Sequence, residues 1–476
     1  MEIVPSLVED LRAQLAADRV RTEPIELSLY GHDASIVEGG HAAVVCFPLS
    51  TDEVRACVRV ARAHGRPFTA RGAGTGLAGG AVPLGDPVVI VTTKMNRILS
   101  IDADERVAWV EPGVINLDLT RALGQYGLHF APDPSSQQAC SIGGNVANNS
   151  GGPHCLAYGV TSAHVLAVEV VLPDGEVAVL GGLDPEPGGY DLRGVFVGSE
   201  GTMGIATRIA VRLTPNPPAV RTLLVDFLSI DDAAACVSAI IAGGLVPAAL
   251  EMVTGPMIGA IEDFVHAGYP VDAAAVLLVE VDGLPSFVDD AVARVRDIAQ
   301  TNGARTVRVA ADENERQLLW KGRKSAFGAV ARLAPDYYLH DTVVPRTRLV
   351  EVLRKVEEIA RSHDLMVLNV FHAGDGNLHP LLAFDAREPG VLERVHEAGD
   401  QIVVASVEAG GVLSGEHGIG IEKRDLMPRL FSVDDLDAQA RLRDAFDPDG
   451  AANPGKVLPK GSRCGELQRI PEGVWV

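Results

Sequence analysis

Positive charge is scarce in this chain. Lys and Arg number 41 against 63 Asp and Glu, a net charge of −22. That balance excludes nucleic acid as a partner, since phosphate backbones are met by a basic stripe. It also leaves no polybasic patch for anionic lipid. Cysteine is scarce too. Cys46, Cys57, Cys140, Cys155, Cys236 and Cys464 lie far apart with no C-x-x-C among them. This argues against an iron–sulfur cluster or a cysteine zinc site and for plain buried thiols in a reduced, cytoplasmic protein. Apolar runs are short, none approaching the ~20 residues that span a bilayer. The opening MEIVPSLVEDLRAQL has no basic segment leading into an apolar one, so no secretory signal is expected.

Glycine and apolar residues are plentiful. Hydrophobic residues make up 47% of the 476, enough for packed cores, and the length implies two or three domains. The 50 glycines are concentrated in informative places. The stretch RGAGTGLAGGAVP (71–83) holds Gly72, Gly74, Gly76, Gly79 and Gly80. Such a turn lets backbone N–H groups converge on an anion, with phosphate the natural occupant. Arg71 and Thr75 add a charge and a hydroxyl. The spacing matches neither a P-loop nor a G-x-G-x-x-G opening a helix, so a plain surface turn is the alternative. Residues 132–159 are rich in small and amide-bearing residues and read as a long functional loop. Here Ser141 stands just before Gly143-Gly144, and Asn145, Asn148 and Asn149 lie between that pair and Gly151-Gly152. Residues 197–207 (VGSEGTMGIAT) form a third such loop. Together the three are able to wrap one extended ligand with phosphates in its middle.

Around these loops the expected elements alternate: a helix over 3–18, strands over 42–47, 88–92, 107–110 and 164–172, and helices over about 51–63 and 118–126. The run PNPP (215–218) marks a boundary. Beyond it, strands near 220–227, 248–252, 275–281 and 306–309 alternate with helices opened by Ser229 and Ser286 in capping-box form. The β-α-β-β-α-β order suggests a ferredoxin-like half. A helix from about 313 to 333 carries several solvated basic residues.

A second kind of chemistry is suggested near residue 375. Strand 367–371 runs into His372-Ala-Gly-Asp-Gly-Asn-Leu-His379. Asp375-Gly376 reads as a two-residue hairpin turn, so that Gly374 faces Asn377, Ala373 faces Leu378 and His372 faces His379. Two imidazoles on one face are able to chelate a metal. Glu416, in the segment 414–420 (SGEHGIG), offers a third ligand, leaving open positions as in a catalytic site. Zinc, manganese and iron all suit such a set. The alternative is a pair of turn histidines and a surface Glu-His.

Taken together these stretches resemble the FAD-linked oxidase/dehydrogenase family of the vanillyl-alcohol-oxidase superfamily. Its members oxidise 2-hydroxy acids. The resemblance runs through 71–83, 131–159, 198–204, 262–273, 322–338, 369–380, 414–420 and 446–456. It is greatest to the flavin-bearing subunits of glycolate oxidases. It implies an α+β fold: a PCMH-type FAD-binding domain (1–218), a ferredoxin-like cap or substrate domain with the metal site (219–430), and a C-terminal segment returning to the flavin (431–476). It implies that 71–83 holds the FAD pyrophosphate. Pro132, Ser141, Gly143, Gly144 and Gly151 would line the cofactor, with Tyr158 and Gly159 close by, Gly204 and Ile205 near the adenine, and Asn453 at the flavin. It implies a divalent metal on His372, His379 and Glu416, His417 as catalytic base and Arg323 on the substrate carboxylate. With no histidine in 71–83, FAD is expected to be non-covalent. Phe327 stands where relatives acting on 2-hydroxyglutarate carry polar residues, which points to a smaller substrate, glycolate or D-lactate. Reduced FAD would pass electrons to a partner iron–sulfur protein, a quinone, another soluble acceptor or oxygen; the resemblance implies partner subunits, an iron–sulfur protein and a second flavin-domain subunit, at the inner face of the cell membrane. A homodimer is compatible with this. Three other readings stay open: a flavin-binding electron-transfer or assembly subunit without turnover, a D-2-hydroxyglutarate-type dehydrogenase, and a non-redox synthase of alkyl-glycerone phosphate.

Overall fold

A computed structural model describes residues 6–184 and 188–459. Cys464, residues 3–5 of the expected first helix and residues 460–476 lie outside the described residues. The chain forms two units, one comprising Met1–Gly151, Val160–Pro215 and Glu416–Val476, the other Gly152–Gly159 and Asn216–Gly415. Residues 416–430, grouped with the second domain from sequence, cluster with the first unit here.

The first unit carries two main sheets and a two-stranded one, Leu128–His129 with Thr214–Pro215. Strands Val44–Cys46, Val88–Val91 and Phe68–Arg71 are parallel, with Val20–Arg21 added antiparallel at one side. Parallel neighbours need a crossover, and the helix Thr51–Ala63 lies between the first two in sequence. Ser50 caps it by accepting the Glu53 N–H at 3.3 Å, and Asp52 and Glu53 favour its positive N-terminal end. Its apolar face (Val54, Cys57, Val58, Ala61) packs on Val44, Cys46, Val88 and Ile90. The second sheet is antiparallel, in the order Ile98–Asp102, Val107–Val110, Ile205–Arg212, Val165–Val171, Val177–Gly181.

The stretch 132–159, expected as a loop throughout, contains the helices Ile142–Asn148 and Cys155–Tyr158. Two glycines and two asparagines oppose the first helix by propensity. It forms because Ser141 caps it (Gly144 N–H to Oγ, 3.3 Å) and because Ile142 and Val146 are buried. Asn149, at φ 52°, ends it in the left-handed region that asparagine tolerates.

The second unit is built on seven antiparallel strands, ordered Thr306–Val309, Ala219–Phe227, Ala275–Gly283, Ala249–Thr254, Met366–Phe371, Pro380–Phe384, Asp336–Leu339. The first four follow the 4-1-3-2 order of a ferredoxin-like half, with a further helix, Gly255–Val265, between its second and third strands. The helix expected to open at Ser286 starts at Pro285 with no side-chain cap. Proline at the first position needs no N–H partner. Strands Asp336–Leu339, Met366–Phe371 and Pro380–Phe384, with helices Leu349–Ser362 and Val391–Glu408, make a second, similar half. The halves join second strand to second strand, through Met252 opposite Phe371 and Val253 opposite Val370. The helix expected over 313–333 breaks after Lys324. Asp312 caps its start, accepting the Glu315 N–H at 2.9 Å, and Arg323 sits in its last turn.

Candidate active site

The hairpin after Phe371 is looser than the expected two-residue turn. His372 pairs with Asn377, its N–H and C=O bonding Asn377 at 3.1 and 3.2 Å, so Ala373–Gly376 form a four-residue loop. Gly376 closes it at φ 73°, a conformation glycine adopts without strain. The register (Leu368 opposite Leu381, Asn369 opposite Pro380) sets His379 diagonal to His372 rather than facing it. Both still project from one face, because side chains alternate with period two. Their rings meet edge-on, centroids 5.0 Å apart, and both are buried.

Each imidazole is oriented through Nδ1. His372 Nδ1 lies 2.8 and 2.9 Å from the two carboxylate oxygens of Glu251, and His379 Nδ1 lies 3.3 Å from the His340 carbonyl. Nε2 is then the nitrogen by which each ring would ligate, the arrangement that metal-binding histidines use. Glu251, in the strand Ala249–Thr254, is fully buried and also pairs with Arg323, whose Nη2 stands 2.6 Å from Oε2. Burial pushes the Glu251 carboxyl up, but the charges and hydrogen bonds of His372 and Arg323 outweigh it and hold the group below the ordinary carboxylate value. Arg323 is itself buried, and its Nε and Nη1 have no hydrogen-bond partner. Unsatisfied guanidinium N–H groups in a dry interior are costly, and a bound carboxylate is the anion their fork matches.

Asp341, fully buried, ties this hairpin to the chain that leaves the unit. It accepts from Asn377 Nδ2 (2.6 Å), Ser414 Oγ (2.5 Å) and the Gly415 N–H (2.9 and 3.0 Å). Glu416 and His417 are the next two residues, and His417 Nε2 lies 3.8 Å from Glu416 Oε1.

In the first unit the three glycine-rich stretches converge. A Cβ on Gly72 would lie 2.5 Å from Ser141 Oγ, so only glycine fits that approach. The N–H groups of Gly198 and Glu200 donate to the Val146 and Ala147 carbonyls at 2.9 and 2.8 Å. Gly143 donates to the Pro112 carbonyl at 2.8 Å, and the Pro132 carbonyl accepts from Asn116 Nδ2 at 2.9 Å. Asn453 Nδ2 donates to the Gly80 and Glu200 carbonyls at 2.9 and 2.7 Å. Thr75 and Gly76 are half-buried in the loop, Gly74 and Gly79 take φ 75°, and Ile205 is buried where the Ile205–Arg212 strand starts after Gly204. The Arg71 guanidinium packs against Gly74, where a Cβ would collide with Nη2; Nη1 donates to the His32 carbonyl at 2.7 Å and the guanidinium lies over the Tyr30 ring. The segment with Tyr158 and Gly159 belongs to the second unit, where the Tyr158 hydroxyl donates to Asp282.

The family described as FAD linked oxidases, C-terminal domain, matches residues 216–457, and the FAD binding domain matches residues 42–181. The chain is 48% identical over 424 residues to the glycolate oxidase subunit GlcD of Escherichia coli (strain K12), covering 89% of this chain and 85% of that one. The chain belongs to the FAD-linked oxidase family. This FAD-linked oxidase is an FAD-dependent oxidoreductase. It is also 32% identical over 469 residues to a D-lactate dehydrogenase of Anaerostipes hadrus, covering 96% of this chain and 98% of that one. Its fold is that of p-cresol methylhydroxylase, solved with substrate bound (TM-score 0.81, 18% identity, 95% of this chain and 96% of that one). The glycine cradle of the first unit fits FAD: its close approaches exclude side chains where a dinucleotide's phosphates need backbone donors. Among the described residues no helix is long and apolar enough to cross a membrane, and Cys46, Cys57, Cys140, Cys155 and Cys236 are free.

Sequence reasoning missed Glu251, Asp341 and Glu200 in this FAD-linked oxidase. Glu251 carried a signal, a lone carboxylate within the apolar strand ALEMVT. Glu200 sits buried at φ 52° and accepts the Ile419 and Gly420 N–H groups at 2.7 and 2.8 Å, fixing the segment just after His417.

Proposed function

We propose that this FAD-linked oxidase dehydrogenates a small 2-hydroxy acid, glycolate or D-lactate, to the 2-oxo acid. The observation that carries the reading is the buried Arg323, with Nε and Nη1 unsatisfied, beside the oriented His372–His379 pair. The names of the E. coli and A. hadrus relatives support the substrate class. Arg323 binds the carboxylate in a bidentate pair. His372, His379 and Glu416 hold a divalent ion, zinc, manganese or iron. The donor set fits one, since both rings have Nδ1 engaged and Glu416 directly follows Gly415, which Asp341 anchors beside the hairpin. His417 takes the proton of the 2-hydroxyl as general base. Gly72, Gly74, Thr75, Gly76, Gly79 and Gly80 cradle the FAD pyrophosphate. Pro132, Ser141, Gly143, Gly144, Gly151, Tyr158, Gly159, Gly204, Ile205 and Asn453 line the rest of the cofactor, and Arg71 supports the loop from behind. When bound, FAD supplies the two-electron acceptor and the metal supplies Lewis acidity at the 2-hydroxyl.

The E. coli relative is named a subunit, which supports onward electron transfer to partners, an iron–sulfur protein and a second flavin-domain subunit. The assembly would work in the cytoplasm at the inner face of the membrane. Phe327, half-buried just after Arg323, favours a short substrate tail over 2-hydroxyglutarate.

The test is anaerobic flavin bleaching by glycolate, D-lactate, L-lactate and D-2-hydroxyglutarate, with and without chelator. Chelator-sensitive bleaching by glycolate or D-lactate is expected. A His417→Ala chain should keep its flavin absorbance and bleach about 10²–10⁴-fold more slowly, the usual worth of a general base. Bound FAD that no hydroxy acid reduces would overturn the reading in favour of an electron-transfer or assembly subunit.

A further inference from the structure

Glu251 is an unusual occupant of its strand. Leu250, Met252 and Val253 around it are buried and apolar, and the carboxylate itself has no exposure. A charge placed there is costly unless it is paired and hydrogen-bonded. Its partners are two residues with separate tasks. Both oxygens face His372 Nδ1, at 2.8 and 2.9 Å, and Oε2 also meets Arg323 Nη2 at 2.6 Å. A carboxylate only accepts, so Nδ1 carries the proton and His372 is held in the tautomer that leaves Nε2 for a metal. The same carboxylate pins one arm of the Arg323 fork, and the arms without partners, Nε and Nη1, remain for the acid. The contact exists because strand Ala249–Thr254 pairs with strand Met366–Phe371 at Met252 and Phe371, one residue from each partner.

We infer that Glu251 is a positioning residue shared by the metal and the substrate, one carboxylate that orients the His372 imidazole and the Arg323 guanidinium together. The inference rests on the metal-assisted dehydrogenation proposed above. A Gln side chain has one accepting oxygen and one donating NH2: with the oxygen at the Oε2 place it reaches both partners, but its NH2 is turned on His372 Nδ1 and the negative charge that holds the imidazole and the guanidinium is gone.

The experiment compares the flavin-loaded wild-type chain with Glu251→Gln. Zinc and manganese affinities are measured by chelator competition, and kcat and KM with glycolate by flavin reduction. Flavin content and thermal midpoint report folding. Loss of such a second carboxylate typically weakens metal binding about 10–100-fold, and that loss is expected here. It should come with a KM at least ~10-fold higher and a smaller fall in kcat at saturating metal, since uniform binding is what is removed. A purely structural role would lower the midpoint and flavin content and leave the metal affinity of the folded fraction alone. If Glu251→Gln does not fold, Arg323→Met and Arg323→Met/Glu251→Gln take its place, since neither leaves a buried guanidinium unpaired. The double variant should bind zinc at least ~10-fold more weakly than Arg323→Met, and equal affinities overturn the inference. Wild-type protein that binds neither metal would remove the metal reading and this inference with it. Wild-type protein that binds metal and is reduced by glycolate, while Glu251→Gln matches it in metal affinity and KM, removes only the role of Glu251.

Discussion

Replacing Glu280 by Gln should loosen the segment Gly152–Gly159, and the cost can be worked from its contacts. Glu280 is buried in the strand Ala275–Gly283. Oε2 accepts from Arg316 Nε (2.9 Å), Trp320 Nε1 (2.6 Å) and Thr222 Oγ1 (2.5 Å), and Oε1 accepts from Arg316 Nη2 (2.9 Å) and faces His154 Nε2 (3.2 Å). Burial raises the Glu280 carboxyl, but the bonds from His154 and Arg316 more than reverse this and hold the group well below the ordinary carboxylate range. Gln keeps most of these contacts if its oxygen takes the place of Oε2. The amide NH2 then confronts Arg316 Nη2 and His154. Two charge-assisted bonds at roughly 1.5–3 kcal/mol each would be lost. The side chains of Arg316 and His154 are 26% and 21% exposed, so water recovers part of this. The net cost is about 2–3 kcal/mol. Trp320 donates directly to the carboxylate, and its fluorescence through a urea titration follows the site. With a slope of roughly 2–3 kcal/mol/M, the midpoint should fall by about 1 M. Chymotrypsin should also cut earlier after Leu156 or Tyr158. A midpoint within about 0.2 M of wild type, with unchanged proteolysis, would refute the claim that the Glu280 charge fastens this segment.

Two further outcomes are expected. Burial pushes the Glu200 carboxyl up to about 7, opposed by the Ile419 and Gly420 N–H groups and by Lys456 and Lys423. An acid raised in the folded state adds stability that is whole below its unfolded value of 4.5 and is lost as pH rises through 7. That rise is worth about 3 kcal/mol; the thermal midpoint of flavin-free protein should fall over this window, and Glu200→Gln should flatten the slope, whereas equal slopes would contradict it. Gly72→Val should purify with less than about a tenth of the wild-type flavin content at an unchanged far-ultraviolet spectrum, because the new side chain collides with Ser141; full flavin content would show that the loop yields.

Much of this arrangement could be read in the chain, for identifiable reasons. Ser50, Ser229 and Asp312 start helices because a small polar cap followed by acidic residues is a local signal. The pairing of His372 with His379 was legible although the turn was misjudged. Asp-Gly suggested a two-residue turn, but the N–H groups of Asp375 and Gly376 fold back on His372 and Ala373 instead. The shift moved the register by an even number of residues, which keeps both rings on one face. Arg323 could be told from its charged neighbours only by resemblance, since its distinction is burial. Glu251 and Asp341 could not be assigned roles from sequence, because their partners lie 121 and 73 residues away, among others. The helix Ile142–Asn148 was hidden by its own composition.

The join between the two halves of the second unit is the shortest main-chain seam of its seven-stranded sheet. Strand Ala249–Thr254 meets strand Met366–Phe371 over two residue pairs, whereas Ala219–Phe227 meets Ala275–Gly283 over nine. Few backbone bonds hold that line, and the Glu251 contacts to His372 and Arg323 cross or flank it. Polar side chains there take over part of the cohesion that peptide groups supply elsewhere in the sheet. The residues proposed to hold the acid and the metal would thus also stitch two half-domains into one body. Catalytic residues drifting by mutation would carry an architectural penalty, and a chain keeping the architecture would tend to keep the chemistry.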